Sequence, residues 1–284
     1  MTGQLALALL LALASAVALN WGFYRQHEQV SALPPLSPRR PVRSLVLLFS
    51  DVAWLVGFLV GILGWALYIA ALAFGPLSLV QAASAGGIGV LALLVWRLGG
   101  VVLVRREWAG VGVSIGGLLL LGLSLLGRGG HDSGSHGSWP AIAVWIAVSW
   151  IAAAGFAGPL GRFVAAGAGF GIGAGVLYAA GDVATKAAVA GGWRLLFVPA
   201  VLASHGLAFV LLQLGFQRGK ALATAGVATL FTNAVPIAAG TTLFHEAVPA
   251  GPGGAARALA FLAVVCGAVL LTRAERPVPD HSEP

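Results

Sequence analysis

The chain has 284 residues, of which 59% are hydrophobic and only 9% are charged, and its mean hydropathy is +0.94. These values exclude a soluble globular domain and indicate a protein that crosses a membrane many times. The net charge of +7 does not indicate a nucleic-acid partner, because the basic residues lie at the ends of apolar segments and form no patch with interleaved aromatic residues.

Nine apolar segments are long enough to cross a bilayer, so the sequence predicts an all-α polytopic membrane protein with about nine transmembrane helices. In chain order they cover about residues 4–23, 45–74, 77–96, 108–126, 140–157, 169–191, 195–216, 221–244 and 255–271. The first segment has an alternative interpretation as a cleaved signal peptide, because Ala14-Ser15-Ala16 resembles a cleavage site. No basic residue precedes it, which favours a retained span.

The first half carries a short hairpin connection and two packing signals. Only Gly75-Pro76 separates the second and third segments, which predicts an antiparallel helical hairpin. Asp51 lies at the start of the second segment, where an interfacial acid near a helix N-terminus is favoured over a transport role. Gly112 and Gly116 have the small-xxx-small spacing of closely packed helices, so we expect a helix contact at this pair.

The polar stretches between and after the segments carry no clear chemistry. Residues 127–139 contain His131, Asp132 and His136, but this Gly/Ser-rich loop lacks a fourth metal ligand, so we interpret it as a solvated linker. The single Cys266 excludes an intrachain disulfide. With no nucleophile–base pair, paired carboxylates or metal-ligand set, the sequence predicts neither an enzyme nor a cofactor.

The basic residues predict the orientation in the membrane. With the N-terminus outside, most of the 16 Lys and Arg residues fall on the cytoplasmic side, as the positive-inside rule requires. The C-terminus is then cytoplasmic. We expect a multi-pass protein of the cell (plasma) membrane whose partners are a small-molecule or ion substrate and the lipid bilayer, and a homodimer is compatible with the sequence.

The two halves of the chain match each other. Aligning Gly75 with Gly219 superposes the hairpin of segments two and three on that of segments seven and eight. Segments one to four thus match six to nine, and because five crossings separate the copies, the two four-helix repeats must be inverted. The predicted organisation is a first repeat at 1–126, a loop and connecting segment at 127–162, a second repeat at 163–272 and a polar tail at 273–284.

Two ionisable residues interrupt the sixth apolar segment. Asp182 lies about 3 Å from its midpoint, and Lys186 follows one turn later on the same face, where each can offset the other's charge. Because ionisable groups in lipid are costly, they indicate a functional site. The alternatives are a purely structural ion pair and, for Lys186, an interfacial anchor that corresponds to Arg25 in the first repeat.

Other polar residues are predicted at a similar depth. In the second repeat they are His205, Thr229 and Asn233, with Pro236 leaving backbone carbonyls free for a substrate. In the first repeat the candidates are Asn20, Trp65, Tyr68 and Gln81. For each of these polar side chains, hydrogen bonding between helices is the alternative to substrate contact.

Several stretches resemble a known superfamily. The hairpin LYIAALAFGPLSLVQAASAGG and the FHEAVP ending of segment eight are similar to the EamA-type drug/metabolite transporters, and WLVGFLVGILGWALYIAALAFGPLSLV resembles the NIPA-type magnesium transporters more specifically. The resemblance implies a substrate cavity between inverted halves and alternating access. The chain departs from the pattern by lacking a tenth helix and by having Gly64-Trp65-Ala66-Leu67 where the NIPA group typically has polar residues.

The predicted function is a secondary transporter that moves a small polar metabolite or drug by alternating access, with Asp182 as the coupling or substrate-binding acid. Protonation of a buried carboxylate offers a coupling mechanism, since it removes the cost of exposing that face to lipid. In the NIPA-like alternative Asp182 binds a hydrated divalent cation. A further alternative is a flippase for lipid-linked sugars or an accessory membrane protein.

Overall fold

The computed structural model describes residues 3–37, 40–74, 87–100, 102–125, 137–188, 191–244 and 251–272. Within these ranges every regular element is a helix. The helices of the first half are α1 (Gly3–Ala32), α2 (Pro41–Ser50), α3 (Val52–Phe74), α4 (Gly87–Arg97) and α5 (Arg105–Leu125). Those that follow are α6 (Trp139–Ala157), α7 (Ala168–Ala188), α8 (Val198–Arg218), α9 (Val227–Leu243) and α10 (Pro252–Thr272).

Three short elements join these helices. The 3₁₀ helices Pro159–Phe163 and Gly192–Phe197 precede α7 and α8, and a π-helical turn, Leu222–Gly226, runs directly into α9. The wider turn of a π-helix leaves room that a neighbouring backbone can use. A Cβ atom on Gly171 of α7 would overlap the carbonyl oxygen of Thr224 in this turn. Only a glycine therefore allows α7 to lie this close.

Five helices in the described part of the chain are long and apolar enough to cross a membrane: Ala6–Ala32, Trp139–Ala157, Gly192–Arg218, Leu222–Gly240 and Pro252–Leu271. A bent pair, α2 with α3, makes a sixth if it is counted as one span. The all-helical membrane class is therefore confirmed. Helices α5 and α7 are as long as spans but more polar, and residues 75–86 lie outside the described ranges, so the number nine stays a prediction.

The second predicted segment is not one straight helix. It was expected from about residue 45, but the chain turns by 92° between α2 and α3. Asp51 lies at this turn, where its carboxylate accepts a hydrogen bond of 2.7 Å from the backbone N–H of Trp54. This contact satisfies one of the free N–H groups at the start of α3. The expected helix-terminal role of Asp51 is confirmed, whereas the expected start of the span is wrong.

The helices pack in matching pairs. In the first half α1 lies along α3 and also contacts α4; in the second half α7 lies along α8 and also contacts α9. Helix α5 packs along α10, α6 covers α7, and α1 contacts α8 across the two halves. Glycines permit the closest approach: in the α1–α3 pair, Gly22 faces the backbone of Gly57.

The contact expected at Gly112 and Gly116 is not found among the described residues. A Cβ atom on either glycine would meet none of their atoms within 4 Å, whereas one on Gly117 would lie 2.9 Å from the Cβ of Ala263 in α10. Gly110 faces Leu271 of the same helix. Gly110 and Gly117 are seven residues apart and thus share a face of α5. The small-xxx-small spacing identifies a possible interface but not the side on which the neighbour lies.

Candidate functional site

The Asp182 side chain of α7 faces His205 of α8. A carboxylate oxygen of Asp182 lies 3.6 Å from His205 Nε2, and the two side chains are 47% and 40% exposed. Helices α7 and α8 bring them together because they lie side by side over most of their length. Two predicted site residues thus form one pair that the rest of the described protein leaves partly exposed.

The hydrogen bond at the other ring nitrogen determines what this pair can bind. His205 Nδ1 lies 3.0 Å from the carbonyl oxygen of Val201, and because a carbonyl can only accept, Nδ1 must carry the hydrogen. A neutral ring then presents the lone pair of Nε2 to the carboxylate of Asp182, which is an acceptor as well. Two facing acceptors repel each other, and a proton, a cation or a water molecule that donates to both relieves this repulsion. The pair can therefore take up one positive charge.

One aromatic residue packs against the pair. The ring of Tyr178 meets that of His205 edge to face, with centroids 5.7 Å apart. Tyr178 was not predicted, although a tyrosine one turn before Asp182 is visible in the sequence. The predicted Tyr68 lies in α3, where it packs against Ala12 and Ala71.

Lys186 has a different environment from the one expected. Its ammonium nitrogen lies 4.5 Å from the centroid of the Phe244 ring, just past the end of α9. This is a cation–π contact, in which the ring face attracts the positive charge. Asp182 faces His205, with which it forms an ion pair only when the imidazole is protonated. The mutual offset of Asp182 and Lys186 stays a prediction.

The other predicted polar residues bond within their own helices. Thr229 donates to the carbonyl of Ala225 at 2.9 Å, Asn233 to that of Thr229 at 2.7 Å and Asn20 to that of Ala16 at 2.8 Å. Asn20 is 4% exposed, and its side-chain oxygen has no partner among the described residues.

The two remaining candidates of the first repeat are not part of this cluster. Trp65 is 59% exposed on the outside of α3, and Gln81 lies outside the described residues. The structure therefore brings Asp182 and His205 together, and within the described ranges no hydrogen bond joins Thr229, Asn233 or Asn20 to them.

A second polar cluster, missed in the sequence, joins the two halves near the C-terminal end of α8. Gln213 of α8 donates from Nε2 to Gln26 of α1 at 2.7 Å and accepts a hydrogen bond of 2.9 Å from the indole N–H of Trp54 in α3. All three side chains are buried, and we call them the glutamine clamp. Gln213 is a polar residue in the apolar run LLQLGF, and this is the feature of the sequence from which the cluster could have been predicted.

Further contacts reinforce the same end. The imidazole of His27 lies 2.8 Å from the carbonyl oxygen of Gly219, and Lys220 pairs with Glu107 of α5 at 3.3 Å. The Trp54 ring stacks on Phe58 with centroids 5.3 Å apart. The end that carries the clamp is therefore sealed by hydrogen bonds and aromatic packing, in contrast to the exposed Asp182–His205 pair.

Comparison with known proteins provides one relative over nearly the whole chain. The chain is 25% identical, over 288 aligned positions, to a protein of Arabidopsis thaliana described as "Probable magnesium transporter NIPA9". The alignment covers 94% of this chain and 82% of that protein. No family model matches the chain, and no solved structure matches it.

This likeness extends over both halves of the bundle, so it concerns a whole transporter and not one segment. It agrees with the resemblance to the NIPA group that the stretch at 54–80 indicates. The more specific EamA assignment stays a prediction. Within the described residues no group of three or more His, Cys, Asp and Glu side chains could hold a metal ion. A cation at Asp182 would therefore keep most of its water ligands.

The packing around His205 provides a test of the pair by a small change beside it. A Cβ atom on Gly181 would overlap the imidazole ring of His205. We expect Gly181→Ala to turn the ring away from Asp182 and to lower transport about tenfold, since one positioned charged contact is lost, while the protein stays folded. Transport by purified protein in liposomes, together with its melting temperature, measures both effects.

Gly206→Ala is the matched control for this substitution. Gly206 follows His205 directly on α8, and a Cβ atom there would meet nothing within 4 Å. The control should transport like the wild type. Equal transport by both variants would show that the position of the His205 ring does not matter.

Proposed function

We propose that the chain is a membrane transporter that carries a hydrated divalent cation, with Asp182 as the acid that binds it. The observation that carries the proposal is the Asp182–His205 pair, whose facing acceptor atoms favour a positive charge between them. The likeness to the probable magnesium transporter supports Mg²⁺ as the cation. Mg²⁺ releases its water reluctantly and is commonly held by one or two carboxylates with several waters retained, so a single acid suffices.

Alternating access is the mechanism that we propose for this transporter. The Asp182–His205 pair is exposed, whereas the glutamine clamp, eight residues or about 12 Å further along α8, is buried, as expected for a carrier that is open to one side at a time. The matched helix pairs α1–α3 and α7–α8 support the inverted repeat as the source of this motion. The transport cycle would break the clamp and close the helices over the pair.

The clamp end is the cytoplasmic one in this proposal. It contains the last turns of α1 and α8 and the whole of α2, and it carries Arg40, Arg43, Arg218 and Lys220. By the positive-inside rule this end faces the cytoplasm, which leaves the N-terminus outside. The described conformation would then be the one open to the exterior of the plasma membrane.

Flux measurements test the proposal directly. Purified full-length protein is reconstituted into liposomes loaded with a fluorescent Mg²⁺ indicator, and Mg²⁺ is added outside. We expect influx that saturates with Mg²⁺ concentration and is absent from protein-free liposomes. If a folded, monodisperse preparation shows no Mg²⁺ flux above that background, the cation proposal is wrong.

A second candidate is proton-coupled transport of a small polar molecule, and His205 itself favours it. Imidazole is a poor ligand for Mg²⁺, which prefers oxygen, but it readily accepts a proton near neutral pH. In this case the charge between Asp182 and His205 is a proton. A pH indicator in the same liposomes distinguishes the candidates, because acidification driven by a substrate in the absence of Mg²⁺ supports proton coupling.

A further inference from the structure

Helix α6, which is predicted to connect the two repeats, is joined to the neighbourhood of the Asp182–His205 pair by a hydrogen bond. The indole N–H of Trp150 donates to the hydroxyl oxygen of Ser204 in α8 at 2.9 Å. Ser204 is completely buried and directly precedes His205 in the chain. The bond therefore holds α8 at the residue next to the imidazole of the pair.

This hydrogen bond lies where three helices meet. Side chains of α6, α7 and α8 form one small apolar cluster there, whose buried members are Ala153, Leu177 and Ala208. Trp150 and Tyr178 both pack against this cluster, and the ring of Tyr178 also meets that of His205. Trp150 is thus connected to His205 through Ser204 on one side and through apolar packing that includes Tyr178 on the other.

The direction of the hydrogen bond matters because α8 is mostly apolar. Apolar burial is non-directional and fixes the rotation of a helix about its axis only weakly. A hydrogen bond weakens steeply when its angle changes, so it resists such a rotation. Successive residues lie about 100° apart around an α-helix, and the direction of Ser204 therefore determines the direction of His205.

We propose that Trp150 is a positioning residue for transport, whose hydrogen bond to Ser204 holds α8 in the rotation that places His205 opposite Asp182. The effect on transport rests on the proposed function. The position of the ring is a property of the folded protein and can be measured without transport. Helix α6 then contributes to the site although it supplies neither member of the pair.

Chemical modification measures the position of the His205 ring. Full-length protein in detergent is treated at neutral pH with diethylpyrocarbonate, which reacts with the unprotonated ring nitrogen of histidine, and the modified peptides are quantified by mass spectrometry. We expect Trp150→Phe to speed the reaction of His205 about threefold to tenfold, because the loss of one hydrogen bond lets Nε2 turn away from Asp182. His27, whose ring is bonded to Gly219 at the clamp end, is the internal reference and should react at the wild-type rate.

Mg²⁺ flux in liposomes provides the second readout. Trp150→Phe should raise the half-saturating Mg²⁺ concentration about fivefold with a smaller change in the maximal rate, because it displaces a binding residue and leaves the moving helices intact. Ser204→Ala removes the acceptor of the same bond and should have the same effects. The double variant should be no worse than either single variant, since both substitutions break one interaction.

Trp145→Phe is the matched control. Trp145 lies on the same helix and is likewise half-buried, but its indole N–H has no hydrogen-bond partner among the described residues. This variant should match the wild type in both measurements.

An unchanged modification rate of His205 in Trp150→Phe, or an equal increase in the control, would overturn the inference. Ser204→Ala is a smaller change and decides the matter if Trp150→Phe fails to fold. Faster modification in a protein that shows no Mg²⁺ flux would support the positioning of His205 and contradict the cation proposal alone.

Discussion

Proteoliposomes that contain Asp182→Asn should transport Mg²⁺ about tenfold to a hundredfold more slowly than those with the wild-type protein. Asparagine has nearly the same size but no charge, so the pair with His205 loses its attraction for a cation. The loss of one interaction with a charged group has an effect of this order. Initial rates of indicator fluorescence, normalised to the amount of reconstituted protein, measure the change.

Asp51→Asn is the matched control, because it makes the same replacement at an acid outside the site. Asparagine caps a helix as well as aspartate does, so α3 should stay intact and transport should be unchanged. If Asp182→Asn transported at the wild-type rate, Asp182 could not be the binding acid. If proton coupling is the mechanism, the same variant should instead lose the pH dependence of substrate-driven flux.

Gln213→Leu should open the sealed end of the bundle. The substitution removes both hydrogen bonds of the glutamine clamp and leaves Gln26 and the Trp54 indole N–H without partners in a buried environment. Each unpaired buried group destabilises the closed conformation by about 1–3 kcal/mol. In a conformation with this end hydrated, water molecules pair with these groups and the cost is absent. The equilibrium should therefore shift towards the conformation that is open at this end.

Cysteine labelling measures this shift. In a Cys266→Ser background, a cysteine at Val30, which is fully buried beside the clamp, should react with a maleimide at least about tenfold faster when Gln213 is replaced. Gln4→Leu, at the far end of α1, should leave the rate unchanged. A cysteine at Ala12, equally buried in the opposite half of α1, should stay unreactive in both proteins. Faster labelling at both positions would indicate unfolding and would contradict opening at one end.

The sequence identified Asp182 and His205 because ionisable groups in apolar helices stand out on physical grounds. It did not identify them as partners, since that depends on how α7 and α8 are rotated about their axes. In a nearly uniform apolar sequence the rotation is set by packing that no single helix encodes. The same reason explains the contact of Lys186 with the ring of Phe244, which lies on another part of the chain.

Two other features of the structure could not be predicted from the sequence for related reasons. Hydropathy measures how apolar a segment is and not its direction, so the turn at Asp51 was invisible within a continuous apolar run. Glycine spacing marks a helix face but not its neighbour, and Gly112 and Gly116 therefore suggested a contact that Gly117 makes instead. Gln213 could have been singled out as a buried polar residue, but its partners in α1 and α3 depend on the tertiary arrangement.

The right-angle turn at Asp51 lies at the clamp end of α3, and the distance from the clamp to the site has an electrical consequence. His205 lies eight residues along α8 from Gln213, or about 12 Å at the rise of an α-helix, in a hydrocarbon layer of about 30 Å. In the proposed transport cycle, part of the membrane potential would fall between the site and the clamp, and a divalent cation would cross that part on its release through the opened clamp. The membrane voltage should therefore act on that release step.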